Sequence, residues 1–163
     1  MKKIIVATAL LFVGLCTAQS IQEVEDFSKI KIDTEAQVEI VHSSKSQLVF
    51  NKNSKDLKSL NITSDHNSLV ITQNSKNSIP GLKIRIYTND IEALSITGNS
   101  KVTLTNFTYQ DRMVILAKKG AVVNTGDTEI KELQILRSND SKVISTNAKT
   151  TNETVDGVLV ATD

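Results

Sequence analysis

The stretch LSITGNSKV, residues 94–102, contains the pattern that decides the fold. Leu94 and Ile96 are separated by one polar residue, as in a strand that buries one of its faces. The Gly-Asn-Ser that follows consists of turn-forming residues, and Val102 begins the next apolar segment. The stretch therefore predicts a strand, a tight corner and a second strand.

The same pattern recurs twice further along the chain, at intervals of about 20 residues. Apolar pairs occur again at residues 114–116 and 133–135, and each is followed by a polar corner. After each corner a valine begins the second strand, and we predict that Val102, Val122 and Val143 form an inward-facing ladder. A unit of this length cannot bury its own apolar face, so successive units must stack.

Two solenoid architectures have repeats of this length. The leucine-rich pattern Leu-x-x-Leu-x-Leu-x-x-Asn fits residues 91–99 once, but the next repeat has Asp111 where its first leucine belongs. The intervening segments are rich in Thr and Val, which favour strands over helices. We therefore predict an all-β protein, a parallel β-helix whose coils of about 20 residues each add one strand spacing of ~4.8 Å. A leucine-rich-repeat-like solenoid and a β-sandwich are the alternatives.

The N-terminus has the three parts of a secretory signal peptide. Lys2 and Lys3 form a basic start, residues 4–15 are apolar, and Cys-Thr-Ala ends at Ala18 with small residues suited to cleavage. The alternative is a lipid anchor on Cys16, but the bulky Leu15 precedes it. We expect export to the periplasm, the cell surface or the medium, with no transmembrane segment in the mature chain.

Residues 19–163 are expected to form a single β-solenoid domain, because a chain of this length fits one domain. Residues 21–90 contain less regular strands, whereas residues 91–163 contain the repeat coils, of which the last is incomplete. No linker or low-complexity segment separates the two parts.

Charge and cysteine content exclude several classes of function. Loss of Lys2 and Lys3 with the signal peptide changes the formal charge from +1 to −1, leaving 17 basic against 18 acidic residues. A nearly neutral chain without a basic cluster does not indicate nucleic-acid binding. Cys16 is the only cysteine, so its removal leaves neither a disulfide nor a thiol nucleophile.

Residues with catalytic potential are few. His42 and His66 are the only histidines, and both are expected on the surface. Asp127, Glu129 and Glu132 could in principle provide a glycosidase pair, but acidic residues between strands usually form a solvated corner. We therefore predict no enzymatic activity, no metal and no organic cofactor.

The corners provide the candidate binding surface. If the repeats stack in register, Asn99, Lys119, Asn139 and Asp140 form a polar ridge along one edge of the molecule. Turn formation alone also explains these residue types, since Asn, Gly and Asp tolerate positive φ. The ridge is predicted as a site for a partner.

The sequence resembles a family of bacterial envelope proteins named "putative auto-transporter adhesin, head GIN domain". The residues that carry the resemblance are FSKIKI at 27–32, Val-Glu-Ile at 38–40, the leucines of 57–60, Leu-Val-Ile at 69–71 and the unit at 94–102. The resemblance covers roughly residues 21–160 and implies a right-handed parallel β-helix. It implies no catalytic or binding residue, because "adhesin" is a label in that family and not a demonstrated activity.

Together these features predict an exported, non-enzymatic envelope protein for adhesion, scaffolding or partner binding, its partner being a protein or a glycan. A carbohydrate-binding or carbohydrate-active β-helix protein is the alternative. The apolar segment Val158–Val160 is predicted as an open edge strand. We expect it to pair with a second copy of the chain or with an envelope partner by strand addition.

Overall fold

A computed structural model describes residues 19–74 and 78–160. The described residues form fifteen strands and one short 3₁₀ helix, Asp56–Ser59. In chain order the strands are β1 Ser20–Glu23, β2 Lys29–Asp33, β3 Gln37–His42, β4 Gln47–Phe50, β5 Leu60–Asp65, β6 Ser68–Gln73, β7 Lys83–Thr88, β8 Ala93–Thr97, β9 Lys101–Thr105, β10 Tyr109–Ala117, β11 Val122–Asn124, β12 Glu129–Arg137, β13 Lys142–Ile144, β14 Ala148–Val155 and β15 Val158–Val160. The protein is therefore all-β, as predicted.

The strands form two mixed sheets. The seven-stranded sheet has the order β1-β4-β7-β3-β9-β11-β13, and the eight-stranded sheet has the order β15-β14-β12-β10-β8-β2-β6-β5. The predicted right-handed parallel β-helix, or β-solenoid, is wrong. The described strands form no closed solenoid, and their arrangement is sandwich-like, which was one of the alternatives.

The first half of the chain explains why a regular coil does not form. β2 lies between β6 and β8, and β3 lies between β7 and β9, so the strands do not follow chain order. The strands β1, β4, β5 and β15 pair antiparallel with their neighbours. A β-helix built from identical coils would add only parallel strands, in chain order.

In the second half, successive strands alternate between the two sheets. β8, β10, β12 and β14 are parallel neighbours in the eight-stranded sheet, and β9, β11 and β13 are parallel neighbours in the seven-stranded sheet. The repeats seen in the sequence thus place one strand in each sheet. A short corner connects the two strands of each repeat, which lie in different sheets.

The predicted valine ladder is wrong by one residue. Val123, not Val122, pairs with Val102 and Val143. Val123 is fully buried, whereas Val122 is half-buried on the outer face. The first repeat is one residue longer than the alignment of Val102 with Val122 assumes. In a strand, such a one-residue shift moves every side chain to the opposite face.

The core lies between the inner faces of the two sheets. It contains mainly Ile, Leu and Val from alternate strand positions, together with Phe27 and Phe50 from the first half of the chain. Complete burial of one such side chain contributes about 1.5–3 kcal/mol. Because the core uses one face of each strand, the opposite faces are left for solvent and partners.

The predicted signal peptide and Cys16 lie outside the described residues. Among the residues that are described, no helix is long and apolar enough to cross a membrane.

Candidate functional site

The outer face of the seven-stranded sheet contains a concave region over β7, β3 and β9. Each of these strands alternates buried and exposed residues, so every second side chain points away from the core. Strand pairing aligns these side chains in rows across the sheet. Lys83, Gln37 and Lys101 form one row, and Arg85 and Glu39 belong to the next.

These rows form the floor of a groove of about 610 Å³. The groove extends from β9 to Val49 on β4 and to Asn51, which directly follows β4. The Asn51 side chain accepts a hydrogen bond from the Lys83 backbone N–H at 2.8 Å and donates one to the Gly81 carbonyl at 3.0 Å. Asn51 therefore fixes the segment that leads into β7.

One cation in the groove is already compensated. Arg85 Nε lies 2.7 Å from Glu39 Oε2 on the neighbouring strand. The hydrogen bond to Glu39, followed by one to Tyr87, raises the pKa of the Arg85 guanidinium. This pair is exposed and adds little net charge to the groove.

Three lysines on the same face have no such partner. Lys83, Lys101 and Lys142 lie on alternate strands of one row, separated by Gln37 and Val122. Adjacent strands are about 4.8 Å apart, so the lysines repeat about every 9.6 Å. No carboxylate among the described residues lies within ion-pair distance of their ammonium groups. Two of them, Lys83 and Lys101, line the groove.

The predicted ridge residues lie on neighbouring corners. Backbone hydrogen bonds from Val122 N to Ser100 O (3.0 Å) and from Lys142 N to Ala121 O (2.9 Å) hold successive corners together. This register places Asn99 and Asp140 in one column and Lys119 and Asn139 in the column beside it. The structure therefore brings the four residues together as two short columns rather than as a single row.

The ridge residues mainly stabilise their own corners. Ser138 donates a hydrogen bond to Asp140, which lowers the pKa of the Asp140 carboxyl, and Asn139 N bonds to Asp156 Oδ2 at 3.2 Å. Among the four, only Lys119 has positive φ, and the neighbouring Gly98 and Gly120 supply the other left-handed positions. A partner-binding role for the ridge stays a prediction.

Two of the three carboxylates considered for catalysis, Glu129 and Glu132, are engaged in cross-strand ion pairs. Glu129 Oε1 lies 2.7 Å from Lys149 Nζ, and Glu132 Oε2 lies 3.0 Å from Arg112 Nη2. Asp127 is exposed on a turn. Glu129 and Glu132 are thus bound to cations on adjacent strands of the eight-stranded sheet, which is unlike two free carboxylates facing a substrate.

The two histidines are separate from each other. His42 is exposed, and its ring lies 5.3 Å from that of Phe107 in an edge-to-face arrangement. His66 lies in the β5–β6 hairpin turn with φ of 46° and pairs with Asp65. Within residues 19–74 and 78–160, no three His, Cys, Asp or Glu residues are grouped so as to hold a metal ion.

Sequence reasoning missed the lysine row. A sequence signal for the row exists. Each strand that contributes to it begins with a lysine followed by an aliphatic residue that is buried or half-buried; these lysines are Lys83, Lys101 and Lys142. Their alignment depends on β3 lying between β7 and β9, however, and nothing in the local sequence shows this order.

The family described as "putative auto-transporter adhesin, head GIN domain" matches residues 26–158. The chain belongs to this family. The resemblance drawn from the sequence is thereby confirmed. No protein with a curated description matches the chain.

Two solved structures share the fold of this head GIN domain. A protein described as a putative adhesin from Bacteroides fragilis superposes with a TM-score of 0.74 at 16% identity, over 84% of this chain and 67% of that one. A protein described as a putative lipid binding protein from Parabacteroides distasonis gives 0.70 at 16% identity, over 85% of this chain and 62% of that one. The chain thus spans less than two thirds of the second structure. The family and both structures carry names of binding proteins and none of an enzyme.

Proposed function

We propose that the mature chain is an exported, non-enzymatic binding module of the cell envelope, and that its groove binds an acidic glycan. The observation that carries this proposal is the row of uncompensated lysines in and beside the groove. Clustered cations of this kind attract an anionic partner and hold it by hydrogen-bonded ion pairs. Family membership among adhesins supports a binding role.

The other groove residues favour a polar partner. Gln37, Thr103 and Thr105 provide hydrogen-bonding side chains beside the lysines, and Val49 is the main outward apolar residue. The centres of protein interfaces instead contain large aromatic or Arg residues that fill pockets. A glycan with carboxylate or sulfate groups therefore suits this surface better than a protein.

Binding of residues 19–163 to an array of acidic and neutral glycans tests the proposal. We expect retention of acidic glycans that weakens with added salt, because exposed charges are screened. The double variant Lys83→Ala with Lys101→Ala should lose most of this binding.

The matched control is Lys29→Ala with Lys31→Ala, which removes two exposed lysines from the opposite sheet. This control should retain binding. Equal loss in both double variants would indicate a nonspecific effect of net charge and would contradict a site in the groove. Hydrolysis of any polysaccharide in a parallel panel would contradict the non-enzymatic assignment.

Export is tested on the protein isolated from its own cells. We expect a mature N-terminus at Gln19 and no lipid, because Cys-Thr-Ala precedes it and Leu15 is unsuited to lipoprotein processing. Intact mass measures both features, and a diacylated or triacylated Cys16 would overturn the expectation. Fractionation with surface proteolysis then distinguishes periplasmic, surface and released protein.

A further inference from the structure

The two sheets end unequally at the C-terminal side of the fold. β12 and β13 come from the same repeat and lie in different sheets. Beyond them the eight-stranded sheet continues with β14 and β15, whereas the seven-stranded sheet ends at β13 in the described part of the chain. We call the two extra strands, β14 and β15, the overhang.

The inner face of the overhang is apolar toward its end. Val155 continues the inward-facing column of Arg137, and it pairs with Val158 of β15. Val158 and Val160 are 68% and 41% exposed, although both point to the side on which the other sheet would lie. Among the described strands, none lies opposite the overhang as β13 lies opposite β12 in the preceding repeat.

In the described part of the chain, the overhang also ends at an edge strand, β15, that no strand other than β14 pairs with. β15 reads Val-Leu-Val and contains none of the charged residues or prolines by which edge strands usually avoid pairing. β13 forms the corresponding edge of the seven-stranded sheet, and it pairs only with β11 in the described residues. Within residues 19–74 and 78–160, two unpaired strand edges and one exposed apolar face thus lie at the same end of the fold.

We propose that two copies of the chain interlock through these overhangs about a two-fold axis. In this arrangement β15 of each copy lies beside β13 of the other, and β14 follows it. Each copy lacks two strands in one layer and has two extra strands in the other. By strand count a second copy therefore fills the gap in both layers, and the contact closes as a dimer.

The interface area indicates how stable this dimer is. With eight residues in β14 and three in β15, at about 3.3 Å per residue and about 4.8 Å per strand, the overhang presents roughly 175 Å² of sheet. Both overhangs and four strand edges together remain below the total of roughly 1,600 Å² of a standard interface. We therefore expect a reversible dimer with a dissociation constant on the order of micromolar.

Sedimentation of residues 19–163 over a concentration series tests this inference. The mean mass should rise from one chain toward two as concentration increases through the micromolar range. Val158→Lys with Val160→Lys should remain monomeric, with an unchanged melting temperature. The control Ile21→Lys alters an equally exposed aliphatic residue on β1, at the opposite end of the fold, and should still dimerise.

A cysteine pair tests the geometry. β13 and β15 lie in different sheets of one chain, so a disulfide between Ile144→Cys and Leu159→Cys must join two copies. Oxidation of this double variant should give a covalent dimer, whereas Leu159→Cys alone should not. Wild-type protein that stays monomeric at high micromolar concentration would overturn the proposal, as would a dimer crosslinked by Leu159→Cys alone. None of these outcomes depends on glycan binding.

Discussion

Arg137 and Glu153 form an ion pair that interrupts the hydrophobic columns between the buried core and the overhang. Arg137 occupies the position of Ile96 and Ala117 in the preceding repeats, and Glu153 follows Ile135 in the adjacent column. Their side chains are only 24% and 21% exposed, and Arg137 also donates a hydrogen bond to the Ser141 carbonyl at 3.1 Å. The pair closes the core with polar groups that satisfy each other.

Replacing one member of this pair should destabilise the fold. Glu153→Gln leaves a half-buried guanidinium without its counter-charge, and we expect a loss of about 1–2 kcal/mol in the free energy of unfolding. Urea denaturation at low protein concentration measures this change. Glu132→Gln removes an exposed carboxylate paired with Arg112 and should cost less than about 0.5 kcal/mol. Equal effects in the two variants would contradict a capping role for Glu153.

The register of the valine ladder is tested by two adjacent positions. Val123→Asp places an unpaired charge at a fully buried site, which costs several kcal/mol against a total stability of roughly 5–15 kcal/mol. This variant should be unfolded or nearly so by circular dichroism. Val122→Asp places the carboxylate on the outer face between Lys101 and Lys142, and its melting temperature should stay within a few degrees of wild type.

Local sequence patterns predicted individual strands well. Leu82, Ile84 and Ile86 alternate with polar residues in the sequence and are all buried, and the turn-forming Asp-His-Asn-Ser at 65–68 closes the hairpin between β5 and β6. The ladder was assigned wrongly because Val122 and Val123 are the same residue type. Their side chains cannot show which one faces inward, and only the pairing with β9 decides it.

Strand order and the groove could not be predicted from local patterns. The placement of β3 between β7 and β9 joins segments more than forty residues apart, and it depends on the packing of the whole core. The groove residues consequently looked like unrelated surface positions. The corner residues were identified as candidates because they recur at the repeat spacing, which is visible in the sequence.

The exposed Asp111–Lys131 pair gives a prediction for pH dependence. Lys131 Nζ lies 3.0 Å from Asp111 Oδ1, and this hydrogen bond lowers the pKa of the Asp111 carboxyl. Carboxyl-carbon NMR should therefore show a midpoint below about 3.9, the ordinary value for aspartate. Lys131→Met should raise it toward that value.

A lowered pKa in the folded state fixes the sign of the effect on stability. The contribution of Asp111 is fully present above its unfolded-state pKa near 4 and is lost as the pH falls through the folded-state pKa. The pair is exposed, so the change in stability should be small and should diminish with salt. An Asp111 midpoint that does not move in Lys131→Met would show that the ion pair does not form in solution.

Two glycines with similar backbone angles provide the last test. Gly98 and Gly81 have φ of 83° and 63°, so alanine at either site must adopt a left-handed conformation that costs about 1–2 kcal/mol. At Gly98 the added Cβ would also lie 2.7 Å from the Thr34 carbonyl oxygen, whereas at Gly81 nothing lies within 4 Å. The same carbonyl accepts a hydrogen bond from Ser100 Oγ at 2.6 Å, so the corner cannot move without disturbing that bond. Gly98→Ala should therefore lose about 1–3 kcal/mol more than Gly81→Ala in urea denaturation. Equal losses would mean that the stacked corners are looser than this close approach requires.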